Sequence, residues 1–297
     1  MTHRKRLISI GAVLFAACLW GTTGTVQTLL PPDREPLAVG ALRLAFGAVF
    51  LLCLAMGKPH TRRAFQDLPK GGVISAALAI GAYNLFFFYA VSLAGVGIGT
   101  AVTIGSAPVW ATAWEVATRR QLPDHMRIFG QGLSVTGVSV LGFAAGGAQG
   151  SVVGVILALM AGVCYAAYSL ITSRMTHRAP STTIAAATFS AAAIITLPVL
   201  LIVPLAWLGT PSAWGGLVFL GFVATGLAYA LYTWGLMRLA ASTAVTLALA
   251  EPVTAWLLAT FFIGEAMTVQ GITGTILILV GLVAVTAFPA VTRETSG

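Results

Sequence analysis

The chain has 297 residues, of which 8% are charged and 58% are hydrophobic, and its mean hydropathy is +0.94. A soluble domain carries about 25% charged residues, so this composition excludes most soluble enzymes and indicates an integral membrane protein. The net charge of +8 does not indicate nucleic-acid binding, because the basic residues stand in short segments between long apolar runs. The expected partners are therefore lipid and a small molecule, and no nucleic acid.

Long apolar segments follow one another along the whole chain. A membrane-spanning helix needs about 20 mostly apolar residues, and ten segments meet this requirement. The basic N-terminus precedes an apolar run that is too long for a signal peptide, so this run is interpreted as the first helix. The fold class predicted is an all-α integral membrane protein with ten transmembrane helices. These cover residues 7–30, 36–56, 71–93, 98–118, 127–145, 151–173, 182–206, 214–237, 241–263 and 268–288.

The distribution of lysine and arginine predicts the orientation of these helices. With a cytoplasmic N-terminus, 14 of the 16 basic residues fall in cytoplasmic segments, since only Arg34 lies in an outer loop and only Arg43 lies inside a helix. Reversing the topology or removing one helix would scatter this pattern. Both termini are therefore predicted to be cytoplasmic.

One short sequence pattern, the repeated phrase, occurs twice in the chain. Thr100-Ala-Val-Thr103 returns as Thr243-Ala-Val-Thr246, and Ala107-Pro108-Val109 returns as Glu251-Pro252-Val253, at offsets of 143 and 144. Each copy contains five helices, and because five is odd, the second copy enters the membrane with opposite polarity. Inverted repeats of this kind build transporters, with the site near mid-membrane where the halves meet. The predicted repeats, which surround a central cavity, are residues 1–146 and 147–297.

Glu251 stands near the middle of the ninth predicted helix, directly before Pro252. An ionisable group at that depth is a functional-site hypothesis by default, and a proline frees a backbone carbonyl that is tolerated where it faces protein or a cavity. Three roles are open for Glu251: proton coupling, pairing with a substrate ammonium, or hydrogen bonding as a neutral acid. Pro108 takes the matching place in the first copy, and both prolines are predicted to break or kink their helices near the cavity.

Three further polar residues lie inside the predicted helices. Arg43 is about 10 Å into its helix at 1.5 Å per residue, where it either snorkels to the outer surface or holds a substrate carboxylate. Glu115 precedes Arg119 by four residues and is predicted to form an i,i+4 pair at the interface. Asn84 either joins two helices or contacts the substrate.

Aromatic residues recur at helical spacing in several segments. Aromatic side chains with hydroxyl or indole N–H groups suit an amphipathic substrate with an apolar side chain, although each one alone also fits ordinary helix packing. Trp20 aligns with Tyr165 across the repeat, and Trp110 follows Pro108 by two residues. The candidate binding residues are Glu251, Tyr83, Phe87, Trp110, Trp20, Tyr165, Tyr168, Tyr229, Asn84 and Arg43.

Motifs for nucleotide or metal chemistry do not occur in this sequence. There is no GxxxxGK[ST] or HExxH pattern, and all four histidines fall outside the predicted helices. An ATP-driven pump and a metalloenzyme therefore have no support, and no metal and no cofactor are expected. An intramembrane enzyme and a passive channel stay open as weaker alternatives to a carrier.

The second half of the chain carries a resemblance to a known family. Ala250-Glu251-Pro252-Val253, the following Phe261-Phe262-Ile263-Gly264-Glu265 and the closing helix with Gly271 and Gly281 resemble the EamA family of the drug/metabolite transporter superfamily, over nearly the whole chain. Within that family the chain resembles the YddG-type amino-acid exporters. Ala107 stands where the second copy has Glu251, so the role of the family's glutamate carries over to Glu251 alone.

This resemblance implies an inner-membrane exporter of neutral, especially aromatic, amino acids that works by alternating access. It implies no enzymatic activity and a monomer or homodimer. The main alternative within transport is an exporter of cationic drugs, with Glu251 as the counter-charge.

Overall fold

The computed structural model of the protein describes residues 3–120, 122–144 and 151–287. Within these ranges the chain forms ten long helical segments and no β-strand. The segments are α1 (His3–Thr28), α2 (Pro36–Met56), α3 (Lys70–Ala94), α4 (Val96–Arg119), α5 (His125–Ala144), α6 (Val152–Met175), α7 (Ser181–Thr196, continued by the 3₁₀ turn Leu197–Leu201), α8 (Pro211–Val218, Phe219–Leu227 and Ala228–Leu236), α9 (Ala241–Leu247, Ala250–Leu258 and Ala259–Ile263) and α10 (Val269–Ala287).

Nine of these segments are long and apolar enough to cross a membrane. Among the long helices in the described part of the chain, α5 is the one that is not apolar enough to meet this requirement. Three of its polar side chains are nevertheless buried against protein: Arg127 is 7% exposed, Gln131 8% and Ser134 0%. Gln131 also accepts a hydrogen bond from the Thr112 hydroxyl, at 2.9 Å. The count of ten membrane spans stays a prediction.

The start of α1 and the end of α10 lie at the same end of the helix bundle. The Arg6 guanidinium donates to the carbonyl oxygen of Thr286 at 3.0 Å, which joins the start of α1 to the end of α10. We call this end the Arg6 end and the opposite one, where α1 stops, the Thr28 end. The predicted boundary between the repeats, at 146/147, lies outside the described residues and stays a prediction.

Helix packing has the symmetry expected of two inverted repeats. The pair α3–α6 is matched by α8–α1, and α2–α8 by α7–α3. When each helix of the first five exchanges places with its counterpart in the second five, three packed pairs map onto themselves: α2–α7, α5–α10 and α4–α9. The surfaces of α1–α4 and α8–α9 therefore meet in the middle of the bundle.

The two prolines of the repeated phrase have different effects on their helices. Because Pro252 has no N–H, it cannot bond to the carbonyl of Ala248 four residues earlier. Glu251 N donates to that carbonyl instead, at 2.9 Å, and α9 is interrupted between Leu247 and Ala250. Pro108 does not interrupt α4, which runs from Val96 to Arg119, since one missing hydrogen bond can be accommodated as a kink.

Glycines let α5 and α10 touch through their backbones. A Cβ atom on Gly137 would lie 2.6 Å from the carbonyl oxygen of Gly274, and one on Gly274 would lie 2.8 Å from that of Gly137. Carbon and oxygen atoms cannot approach this closely, so any larger residue must push the two helices apart.

We expect Gly137→Ala to destabilise the protein by about 1–3 kcal/mol, the usual effect of overpacking a filled interface. Gly132→Ala is the matched control on the same helix, because a Cβ atom there would meet nothing within 4 Å. Thermal unfolding of both purified variants in one detergent measures the difference. Equal melting temperatures would contradict the described contact between α5 and α10.

Candidate functional site

A small cavity lies in the middle of the bundle between helices of both halves. Its volume is about 70 Å³, and α1, α2, α3, α4, α8 and α9 line it. The cavity extends toward the Thr28 end, because residues near the end of α1 and the start of α4 belong to its wall. The residues that line this central cavity include Trp20, Thr23, Gly24, Gln27, Arg43, Tyr83, Phe87, Phe88, Val96, Thr100, Tyr229 and Glu251.

Arg43 projects from α2 into this cavity and is anchored to α8. Its side chain is 6% exposed, which excludes snorkelling to the surface. Nε donates to the Thr225 hydroxyl at 3.0 Å and Nη2 to the carbonyl oxygen of Ala224 at 3.5 Å. A guanidinium has five N–H donors, so these two bonds orient Arg43 and leave donors for a ligand.

The acceptors for Arg43 come from an irregular part of α8. Phe219–Leu227 is a π-helix, a geometry that often marks functional sites. The Thr225 hydroxyl donates to the carbonyl oxygen of Leu220 at 2.8 Å, five residues earlier, and this bond directs its lone pairs toward Arg43. Gly47 allows the approach, because a Cβ atom there would lie 2.5 Å from Cγ2 of Thr225.

Glu251 lines the same cavity from α9, directly after the interruption of that helix. Within the described residues its carboxylate accepts no hydrogen bond and forms no direct ion pair with Arg43. The cavity is therefore bordered by the Arg43 guanidinium and the Glu251 carboxyl group, which do not contact each other. An unpaired charge inside a membrane protein is costly, so Arg43 favours an anionic ligand group, and Glu251 as a carboxylate can pair with a ligand ammonium.

Aromatic rings form one wall of the cavity. The ring centroid of Trp20 lies 4.8 Å from that of Tyr229, and that of Tyr83 lies 5.8 Å from that of Phe87. Tyr165 packs behind this wall, 6.1 Å from Trp20 and 5.4 Å from Tyr83. The indole N–H of Trp20 is buried and has no acceptor among the described residues, which leaves it able to donate to a ligand.

Six of the ten residues predicted for the site line the cavity. Tyr165 and Tyr168 lie behind the wall, and the Tyr168 hydroxyl is 3.4 Å from that of Thr233. The six that line the cavity are Glu251, Arg43, Tyr83, Phe87, Trp20 and Tyr229.

The structure does not bring the last two predicted residues to the cavity. Trp110 is 42% exposed on the outside of α4. Two residues rotate a helix by about 200°, and Trp110 therefore faces away from Pro108. Asn84 is 2% exposed, but its amide donates to the carbonyl oxygen of Ile80 in its own helix, at 2.9 Å. This bond satisfies the Asn84 side chain without a substrate.

Several residues that line the cavity were not predicted from the sequence. Gln27 and Thr100 add polar groups near the Thr28 end, and Gly24 borders open space, because a Cβ atom there would meet nothing within 4 Å. Gln27 is a polar residue at the end of a long apolar run, and Thr100 opens the repeated phrase. Both signals were visible in the sequence.

Glu115 has partners that were not predicted from the sequence. Its carboxylate contacts Arg127 of α5 and Ser242 of α9. The side chain of Arg119, its predicted partner, lies outside the described residues, so that pair stays a prediction. Among the residues that the structure describes, no group of three or more histidine, cysteine or acidic side chains could hold a metal ion.

Comparison with known proteins identifies relatives over nearly the whole chain. Residues 7–143 and 152–287 each match the model of the EamA-like transporter family. The chain is 38% identical over 279 residues to a Bacillus subtilis (strain 168) protein named Uncharacterized transporter YwfM, with 93% of each chain covered. A crystal structure superimposes with a TM-score of 0.82 over 96% of this chain and 98% of that one, at 20% identity, which shows the fold alone. These matches confirm the predicted all-α membrane fold.

Proposed function

Because this chain belongs to the EamA-like transporter family, we propose that it is a secondary transporter that exports neutral, especially aromatic, amino acids by alternating access. The family points to a membrane transporter rather than an enzyme. The substrate class rests on one observation in particular: Arg43 and Glu251 line the same small cavity without contacting each other.

An amino acid has the charges that this cavity lacks. Its carboxylate matches the guanidinium of Arg43, which is suited to paired hydrogen bonds with carboxylates. Its ammonium matches the carboxylate of Glu251, and the indole N–H of Trp20 is a further donor. Both substrate charges would thus be compensated inside the membrane, where an unpaired charge is strongly unfavourable.

The aromatic wall favours a large apolar side chain. Tyr83, Phe87 and Tyr229 line the cavity, and offset or edge-on contacts between rings add about 0.5–1.5 kcal/mol beyond the burial of area. The resemblance to YddG-type exporters supports the same substrates. Phenylalanine and its neutral relatives are therefore the proposed cargo.

Arg43 argues against the alternative of a cationic drug. A cation that paired with Glu251 would lie in the same cavity as a fixed positive guanidinium, and like charges repel in a low dielectric. A zwitterion gains from both groups, whereas a cation gains from one and is opposed by the other.

The proposed orientation rests on the positions of the basic residues, whereas export as the direction of transport rests on the resemblance to YddG-type exporters. Basic residues concentrate at the Arg6 end, among them Lys58, Arg62 and Arg63 between α2 and α3 and Lys70 at the start of α3. The positive-inside rule assigns such an end to the cytoplasm. We therefore propose that both termini are cytoplasmic in the inner membrane and that the cavity extends toward the outside.

Transport requires the cavity to change size and access. A volume of about 70 Å³ admits only a few water molecules, whereas small-molecule sites usually measure about 300–1,000 Å³. Relative movement of residues 1–146 and 147–297 would enlarge the cavity and open it to each side in turn. One chain supplies the whole cavity wall, so the transport unit is a single chain, whether it is a monomer or part of a homodimer.

The function is tested by substrate counterflow in proteoliposomes that contain the purified protein and no imposed ion gradient. The liposomes are preloaded with unlabelled amino acids, and uptake of labelled phenylalanine, threonine and arginine is followed. We expect labelled phenylalanine to accumulate and other neutral amino acids to compete. Absence of uptake of all three by folded protein would refute an amino-acid substrate, and selective uptake of arginine would favour the cationic alternative.

A further inference from the structure

A second concavity opens at the Arg6 end of the bundle. Its volume is about 580 Å³, which falls within the range of small-molecule sites, about 300–1,000 Å³. It is bordered by the ends of α4, α6 and α8 and by the start of α9, so both halves of the molecule contribute. We call it the Arg6-end groove; its lining includes Trp114, Glu115, Arg174, His177, Arg238 and Ala241.

Three polar side chains from three helices meet at the wall of this groove. Glu115 of α4 accepts hydrogen bonds from Ser242 of α9, through its backbone N–H at 3.2 Å and its hydroxyl at 2.5 Å. Arg127 of α5 donates to the Ser242 hydroxyl and lies 3.7 Å from the Glu115 carboxylate. We call these three residues the Glu115 cluster.

Two members of the Glu115 cluster are buried, unlike those of an ordinary surface ion pair: Ser242 is 1% exposed and Arg127 is 7% exposed. The Glu115 side chain is 13% exposed, on the side that borders the groove. The N–H of Ser242 belongs to the first turn of α9, where amides have no partner within the helix and a carboxylate is favoured by the helix dipole. Removing one member of a buried charged group leaves its partners uncompensated, so this contact resists separation of α4 from α9.

The cluster stands between the groove and the central cavity. Along α9, Ser242 precedes Glu251 by nine residues, about 13 Å at 1.5 Å per residue. The residues between them are closely packed: Thr246, Leu247, Ala248 and Leu249 are all 1% exposed or less. The groove is therefore separated from the cavity where the cluster holds α9 against α4.

The three residues that correspond to this cluster in the other repeat are not polar. With the repeat offsets of 143 and 144, Ser242 corresponds to Gly99 and Glu115 to Ala259. Arg127 corresponds to Ala266, when Gln131-Gly132 is aligned with Gln270-Gly271. None of these three counterparts carries a polar side chain, so the repeat does not reproduce this charged contact at the Thr28 end.

From this asymmetry we infer that Glu115 is a positioning residue of the transport cycle: it closes the Arg6 end by fixing the start of α9, the helix that carries Glu251. A passage from the Arg6-end groove to the central cavity can open only when the residues of the Glu115 cluster move apart. This role rests on the proposed alternating-access transport, and it assigns Glu115 to the gate and not to the substrate.

Cysteine accessibility tests the gate without any substrate. In a background with Cys18, Cys53 and Cys164 replaced by alanine, Ala248→Cys reports on the packed stretch of α9. We expect Glu115→Gln to raise its rate of labelling by a water-soluble maleimide in nanodiscs about tenfold, because hydrogen bonds to charged groups have this order of effect. Ser242→Ala should act in the same direction, since it removes the hydroxyl shared by Glu115 and Arg127.

Glu265→Gln is the control, because Glu265 is an exposed carboxylate in the segment between α9 and α10, and its neutralisation should leave the labelling rate unchanged. Unchanged labelling in both Glu115→Gln and Ser242→Ala would overturn the gate, as would an equal rise in Glu265→Gln. The measurement needs no transported molecule, so a failure of counterflow would refute the proposed substrate while the labelling rates still decide the gate.

Discussion

Glu251→Gln is expected to lower the apparent affinity for phenylalanine in counterflow by about 10- to 100-fold, the effect of losing one hydrogen bond to a charged group. The carboxylate lines the cavity and has no partner among the described residues, so in the proposed complex it pairs with the substrate ammonium. Glutamine has nearly the same size and removes only the charge. Initial rates over a range of phenylalanine concentrations measure the change.

Two further measurements distinguish a Glu251 that pairs with the substrate ammonium from a Glu251 that only supports the structure. The wild type should prefer phenylalanine to 3-phenylpropionate, which lacks the ammonium, and Glu251→Gln should lose most of this preference. Glu265→Gln should behave as the wild type, because that carboxylate is exposed outside the cavity. Loss of cation transport with unchanged phenylalanine affinity would instead support the cationic-drug alternative.

Arg43→Gln is expected to reduce phenylalanine affinity by at least about tenfold, since the substrate carboxylate would lose a charged donor. Arg43→Lys should recover only part of the activity. It keeps the positive charge but loses the planar fork that can bind Thr225 and a carboxylate at the same time. Counterflow kinetics of both variants provide the comparison.

Phenethylamine, which lacks the carboxylate, distinguishes a role of Arg43 in substrate binding from a role in helix packing. The wild type should discriminate strongly against it, and Arg43→Gln should not. A purely structural role would lower transport of both molecules equally, and that result would contradict the proposed carboxylate site. Arg62→Gln is a suitable control, because Arg62 is an exposed arginine far from the cavity in the segment between α2 and α3.

Hydropathy located the helices closely, since each membrane helix must be apolar over its own length whatever its neighbours are. The predicted span 36–56 coincides with Pro36–Met56, and 71–93 lies within Lys70–Ala94. Helix α7 ends earlier than predicted, because Leu197–Leu201 tightens into a 3₁₀ turn. The π-helix in α8 carries no signature in composition, and it decides where Arg43 finds its acceptors.

The functional site was predicted less evenly than the helices. Glu251 was recognisable because a carboxylate in an apolar run is rare. Trp110 was misplaced, since an aromatic residue is equally suited to lipid and to protein, and only the direction of α4 shows that it faces outward. One contact of Glu115 could not be predicted at all: the i,i+4 pattern indicates Arg119, whose side chain lies outside the described residues, and the contact with Ser242 joins residues 127 positions apart in the chain.

By itself, the sequence determined that this protein is an α-helical membrane protein with an internal repeat and one carboxylate near mid-helix. These properties depend on local hydropathy and on comparison of the chain with itself. The tertiary structure alone decided which faces of the helices meet, and so placed Arg43 and Glu251 on one cavity and joined Arg43 to Thr225, 182 residues away. The physical reason is that lipid tails are as apolar as helix interiors, so hydropathy does not distinguish a face that contacts lipid from one that contacts protein.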